Sequence, residues 1–185
     1  MTLFEYLAVS FSLVFSFSAM RLMSGLPYAL DPDRRYYVHI LHVFLILFAT
    51  AGLFWTFWSV RDVQWNWMLF LSALAGPSLL YFLACTLVPD SPSTVTSWRN
   101  HFYEMRKRYF LGICGWALLA SINATTHVGL PLFHPLRLQH LLLLILGIVG
   151  FATDNPRVHG LITIVGLLLG VVVSVVFYLP GSFAA

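Results

Sequence analysis

Charge is what this chain has least of. Only 9% of its 185 residues are Asp, Glu, Lys or Arg, against about 25% in soluble domains. That scarcity excludes an ordinary soluble globule and a charge-rich disordered tail, both of which need charges to stay solvated. The formal net charge of +3 is too small to hold a nucleic acid, so no nucleic-acid partner is expected. Cysteine is scarce too. Cys85 and Cys114 form no C-x-x-C pattern, which excludes a redox dithiol and a zinc knuckle, and both read as small apolar residues. Catalytic signatures are missing: there is no Gly-x-Ser-x-Gly elbow, no His-Glu-x-x-His helix and no C-x-x-C-H haem attachment.

What is present is apolar length. The sequence is 59% hydrophobic, and six runs are long enough to cross a membrane. They cover Leu3–Met23, Val38–Val60, Trp67–Val88, Tyr109–Leu130, Pro135–Thr153 and Val158–Leu179. Turn-forming clusters separate them at Gly25-Leu26-Pro27, Pro89-Asp90-Ser91-Pro92 and Asp154-Asn155-Pro156. The first run carries Glu5 and no early Lys or Arg, so it reads as a true span rather than a cleaved signal. Between the third and fourth runs, Trp98, Phe102, Met105 and Tyr109 recur at spacings of four, three and four, which predicts an amphipathic helix on the membrane interface. The expected fold is therefore an all-α integral membrane protein. It is a single domain over residues 1–185, with six transmembrane helices in three antiparallel hairpins and a short interfacial helix before the fourth.

The few charges orient the bundle. Arg21, Arg34, Arg35, Arg99, Arg106, Lys107, Arg108 and Arg157 fall on one side, and only Arg61 and Arg137 on the other. Basic loops stay cytoplasmic, so both termini are expected outside, in a plasma (inner) membrane. Trp55, Trp58, Trp65 and Trp67 are expected at the outer interface, with Tyr36, Tyr37, Trp98, Tyr103 and Tyr109 at the inner one. Arg34, Arg35, Trp98, Arg106, Lys107, Arg108 and Arg157 form an expected rim for a partner or for anionic lipid headgroups.

No Asp, Glu or Lys lies in the middle of any span, which speaks against charge-coupled transport and acid-lined channels. The polar candidates that remain are few. Gly76-Pro77 in the third span predicts a kink or local opening, with Ser72 or Ser78 to satisfy the freed backbone. Ser78, Asn123 and Thr125 join Gly76 and Pro77 as expected pore or kink residues. The sequon at Asn123 lies too deep for glycosylation. Gly160, Gly166, Gly170 and Ser174 make a small-residue stripe on the last span, expected to pack against Gly147 and Gly150 of the fifth or against a second copy. Gly170→Leu is expected to disturb that packing. Seven histidines fall in two groups: His39, His42, His101 and His159 toward the basic side, and His127, His134 and His140 toward the other. Interfacial or pH-responsive histidines and no cofactor are expected; the alternative makes His39, His42, His159, His127 and His140 ligands of zinc or haem b.

These features point to a small homo-oligomeric channel or facilitator in the lipid bilayer, and not to an enzyme. An accessory or scaffold subunit is the first alternative, and a haem- or quinone-linked redox protein using the histidines is the second.

Overall fold

The computed structural model of the chain describes residues 3–178. Among them are six α-helices and no strand: α1 (Leu3–Ala29), α2 (Tyr37–Thr56), α3 (Trp67–Leu87), α4 (Trp98–Thr126), α5 (Pro135–Ala152) and α6 (Pro156–Val173). All six helical segments are long and apolar enough to cross a membrane. Leu179, the expected end of the sixth run, lies outside the described residues.

Local chemistry sets the helix starts. Pro135 and Pro156 open α5 and α6, where a missing N–H costs nothing. Asn66 accepts from the Leu69 amide at 3.0 Å and Asn155 from the Arg157 amide at 3.0 Å, which satisfies donors that no helical carbonyl reaches. After α4 the chain turns through Gly129, whose φ is +67°. The Leu130 amide then closes back on the Ala124 carbonyl at 2.9 Å, as in a Schellman turn. A Cβ at Gly129 would meet no atom within 4 Å, so only backbone strain opposes a side chain there. Gly129→Val should therefore cost roughly 1–2 kcal/mol in denaturation, while Gly129→Asn, which tolerates this conformation, should stay near wild type.

Two boundaries differ from expectation. The first helix runs through Gly25-Leu26-Pro27 to Ala29. Pro27 sits in its last turn, and Gly25 is there for contact, since a Cβ would lie 2.5 Å from a methyl of Val88, the residue just after α3. The second difference is larger. The interfacial helix does not exist as a separate element, because Trp98 to Thr126 is one helix of 29 residues. At about 1.5 Å per residue it extends beyond a hydrocarbon core about 30 Å thick. The predicted face is real, but it points into the protein: Trp98, Phe102 and Tyr109 are buried and Met105 is half-buried. The spacing marks an apolar face without saying whether lipid or protein covers it.

The helices pack in a closed sequence, with α1 on α3, α3 on α4, α4 on α5, α5 on α6, α6 on α2 and α2 back on α1. The α4–α5 contact is close because α5 presents Gly147 and Gly150 there. A Cβ on Gly147 would lie 2.6 Å from Cys114 Sγ, and one on Gly150 would lie 2.5 Å from the Phe110 ring. These glycines thus meet α4, not the stripe on α6. That stripe meets α2: Gly166 faces Leu45 at 3.3 Å and Gly170 faces Phe48 at 3.4 Å, while nothing stands within 4 Å of Gly160. Cys85 and Cys114 are both free, half-buried thiols. Large apolar side chains cover the outside, among them Leu13, Phe17, Leu111, Ile145, Leu161 and Leu168.

Candidate functional site

The two ends of the bundle are built differently. One end is closed by polar and aromatic side chains in mutual contact. Arg21 Nε donates to the Val88 carbonyl at 2.9 Å and its guanidinium pairs with Asp90. Arg34 holds Asp31 at 2.7 Å and the Val95 carbonyl at 3.1 Å. The Arg34 guanidinium, with the Asp33 amide behind it, keeps the Asp31 carboxyl below its ordinary titration range. Tyr36 and Tyr103 share a hydroxyl contact at 3.2 Å. Burial, helped by that contact, holds the Tyr36 proton on and raises its titration.

Deeper at this end lies a buried histidine network. His39 Nε2 donates to the Leu87 carbonyl at 2.9 Å and His101 Nε2 donates to the same oxygen at 3.1 Å. Leu87 ends α3, so the two rings satisfy a carbonyl the helix leaves open. His42 uses both nitrogens. Thr163 spends its proton on the His159 carbonyl at 2.7 Å, so it accepts from His42 Nε2 at 3.1 Å. Tyr109 must then donate to His42 Nδ1, at 3.0 Å. His159 Nε2 and Arg106 both donate to the Thr153 carbonyl at the end of α5, and Arg106 also pairs with Asp154. Rings fill the remaining space: His39 stacks on Trp98 at 4.6 Å, His42 on Phe102 at 5.4 Å and His159 on Phe110 at 5.4 Å. Of the three rings, His42 has both nitrogens engaged, while His39 Nδ1 and His159 Nδ1 are buried without a partner. Among the described residues no three His, Cys, Asp or Glu converge as a metal-binding set.

The opposite end is hollow. A cavity of about 410 Å³ lies among α1 to α5, with Phe11, Trp65, Gly76, Pro77, Asn123 and His140 in its wall. A smaller cavity of about 100 Å³ reaches toward α6 and shares Leu53, Trp116 and Gln139 with it. No Asp, Glu, Lys or Arg lines the larger cavity. Its polar wall is fixed from outside. His127 Nε2 donates to the Leu69 carbonyl at 3.0 Å, and Asn123 Nδ2 donates to the Ser72 carbonyl at 3.1 Å. Arg137 sits behind α4, where it donates to Thr125 Oγ1 at 2.7 Å and to the Leu130 carbonyl at 2.8 Å, fastening the α4–α5 turn. Pro77 lies inside an unbroken α3. The proline removes the helical donor of the Ala73 carbonyl. Ser78 does not replace it, since its hydroxyl goes to Leu74 at 2.9 Å, and Ser72 bonds Leu69 at 3.0 Å.

The expected pore residues thus divide. Gly76, Pro77 and Asn123 meet at one cavity; Ser78 and Thr125 are exposed and serve local bonds. Of the histidines, His127, His134 and His140 line that cavity, while His39, His42 and His159 lie in the opposite plug. Of the expected rim, Arg35, Lys107, Arg108 and Arg157 are exposed, Arg34 is half-buried, and Trp98 and Arg106 are buried. Sequence reasoning missed Trp65 and Gln139 as cavity residues, and Tyr109 and Thr163 as partners of His42. Tyr109 had a signal in its register with Trp98 and Phe102; Thr163 had none beyond being polar at mid-span. Compared with known proteins, the chain matches no family model, no curated protein and no solved structure.

Proposed function

We propose that the chain is a small polytopic membrane protein that holds one uncharged, mostly apolar small molecule in the cavity between α1 and α5. Six apolar helices and an apolar exterior support insertion in a bilayer, since such a surface in water would drive aggregation. The concentration of Arg and Lys at one end supports placing that end in the cytoplasm, with both termini outside. The observation that carries the binding reading is the cavity itself. Its volume of about 410 Å³ falls in the usual range for ligand sites. Its wall has no charged side chain, and burying an unpaired ionic ligand there would be prohibitive.

A facilitator is the transport form of this reading. The solute enters from the hollow end, and passage needs the His42–Tyr109–Phe102 plug to part; an always-open pore gains no support from this packing. The exposed Arg35, Lys107, Arg108 and Arg157 favour contact with anionic lipid headgroups at the other end. Gly166 and Gly170 are used within the chain, so they lend no support to a homo-oligomer.

The test is ligand-induced stabilisation of the protein in nanodiscs. A neutral probe such as 1-naphthol at a hundredfold excess over its Kd should raise Tm by roughly 5–10 °C. The sulfonate of the same ring system should leave Tm unchanged. Equal shifts from both probes, or none from a panel of neutral ones, would overturn the reading.

A further inference from the structure

We infer that the cavity's natural ligand carries a hydroxyl group: it is a neutral alcohol, phenol or quinol rather than a hydrocarbon, ether or ester. This rests on the binding reading above and deepens it. Six buried side-chain atoms among the described residues lack a hydrogen-bond partner, and three of them, Trp65 Nε1, Asn123 Oδ1 and His140 Nδ1, belong to residues lining this one cavity. Each such atom costs about 1–3 kcal/mol while it stays unpaired in a dry interior, and native proteins seldom leave several together without a reason.

Their chemistry defines the complement. The indole N–H of Trp65 only donates, so the guest must offer an acceptor. Asn123 is oriented by its own bond: Nδ2 faces the Ser72 carbonyl at 3.1 Å, which leaves Oδ1 as an acceptor, so the guest must also offer a donor. His140 Nδ1 serves in either role, according to its tautomer. Ala73 also lines the cavity, and Pro77 deprives its carbonyl of a helical donor. An ether or a ketone satisfies only the donors, and an ammonium group only the acceptors, at the cost of a buried charge. A hydroxyl both donates and accepts, and it is neutral.

The three unpaired atoms are buried within the wall, so binding requires these side chains to turn toward the guest. The rest of the wall suits the guest's body. Phe11 meets Phe57 edge-on at 4.6 Å, and Trp65 lies 5.8 Å from the His127 ring, forming an aromatic box for an apolar ring or chain.

The experiment compares hydroxyl compounds with their O-methyl ethers, by thermal shift in nanodiscs over a range of concentrations. One pair is 1-naphthol and 1-methoxynaphthalene; the other is 1-decanol and methyl decyl ether. The hydroxyl member of at least one pair should bind the wild type about tenfold more tightly than its ether, and the pair that shows this separates an aromatic from an aliphatic body. Trp65→Phe keeps a ring and removes the donor; Asn123→Leu keeps the bulk and removes the acceptor. By removing the acceptor, Asn123→Leu should reduce the preference to about threefold or less while leaving ether affinity unchanged; by removing the donor that alcohol and ether both use, Trp65→Phe should weaken the two alike. Equal affinity for alcohol and ether in both pairs overturns the hydroxyl assignment while the cavity remains a binding site. A preference that survives Asn123→Leu overturns it as well. If no member of either pair binds, the binding reading itself fails.

Discussion

Replacing His42 with phenylalanine should destabilise the folded bundle by about 2 kcal/mol, and adding Tyr109→Phe should recover part of that loss. His42 is 2% exposed and Tyr109 1% exposed, so neither has water to turn to. In the single variant the Tyr109 hydroxyl loses its acceptor, His42 Nδ1. A buried hydroxyl left so costs roughly 1–3 kcal/mol, although polar bonds between membrane helices average nearer 0.6 kcal/mol. Thr163 loses a donor but keeps its bond to the His159 carbonyl at 2.7 Å, so its share is smaller. Tyr109→Phe alone strands the acceptor on His42 and should cost about 1 kcal/mol. The double variant strands neither atom of that pair. A double-mutant cycle should therefore show coupling of about 1.5 kcal/mol, measured by denaturant unfolding in bicelles. Strict additivity would mean that the two groups do not interact in the folded protein.

Gly150→Leu should be far more damaging than the same change in the stripe on α6, lowering stability by about 3 kcal/mol or preventing assembly of α5 on α4. Even a Cβ at this position would lie 2.5 Å from the Phe110 ring. Phe110 has no room to withdraw, since it is 1% exposed and packed edge-on against Tyr109 at 5.1 Å and stacked on His159 at 5.4 Å. The helices themselves must separate. Gly170→Leu should cost less, about 1 kcal/mol. Its nearest neighbour is the Phe48 ring at 3.4 Å, and Phe48 is 46% exposed, so the ring can swing outward. Gly160→Leu should be neutral or mildly stabilising, because nothing lies within 4 Å and leucine is the better helix former. The ranking 150, 170, 160 can be read from the unfolding midpoints of the three variants. If Gly170→Leu proves as harmful as Gly150→Leu, the stripe on α6 has a contact outside this chain.

That ranking shows where the sequence stops being informative. Gly147 and Gly150 read in sequence exactly as small residues should at a close contact. Which helix they touch depends on how six similar cylinders are arranged, and no local pattern encodes that. The face at Trp98, Phe102 and Tyr109 was legible to the residue. Its partner was not, because apolar side chains suit lipid and protein interior alike. Arg106 shows the same limit for charge. In sequence it is one of three adjacent cations, Arg106-Lys107-Arg108; in the fold it turns inward to the Thr153 carbonyl and Asp154, while its two neighbours stay exposed. A helix rotates each residue about 100° from the last, so adjacent cations can have opposite fates.

The sequence by itself determined the all-α class, the number of long apolar helices and the gathering of basic residues toward one end. These follow from composition and from order along the chain, which local physics reads directly. It also singled out Gly76, Pro77 and Asn123 as pore or kink candidates, and His127 and His140 as candidates for metal or haem. Only the tertiary structure decided that these five line a single uncharged cavity, and that His39, His42 and His159 belong instead to a sealed plug at the other end. The physical reason is that a cavity is a property of packing. It exists where several helices fail to fill the space between them, and that space is set by contacts between residues far apart in the chain.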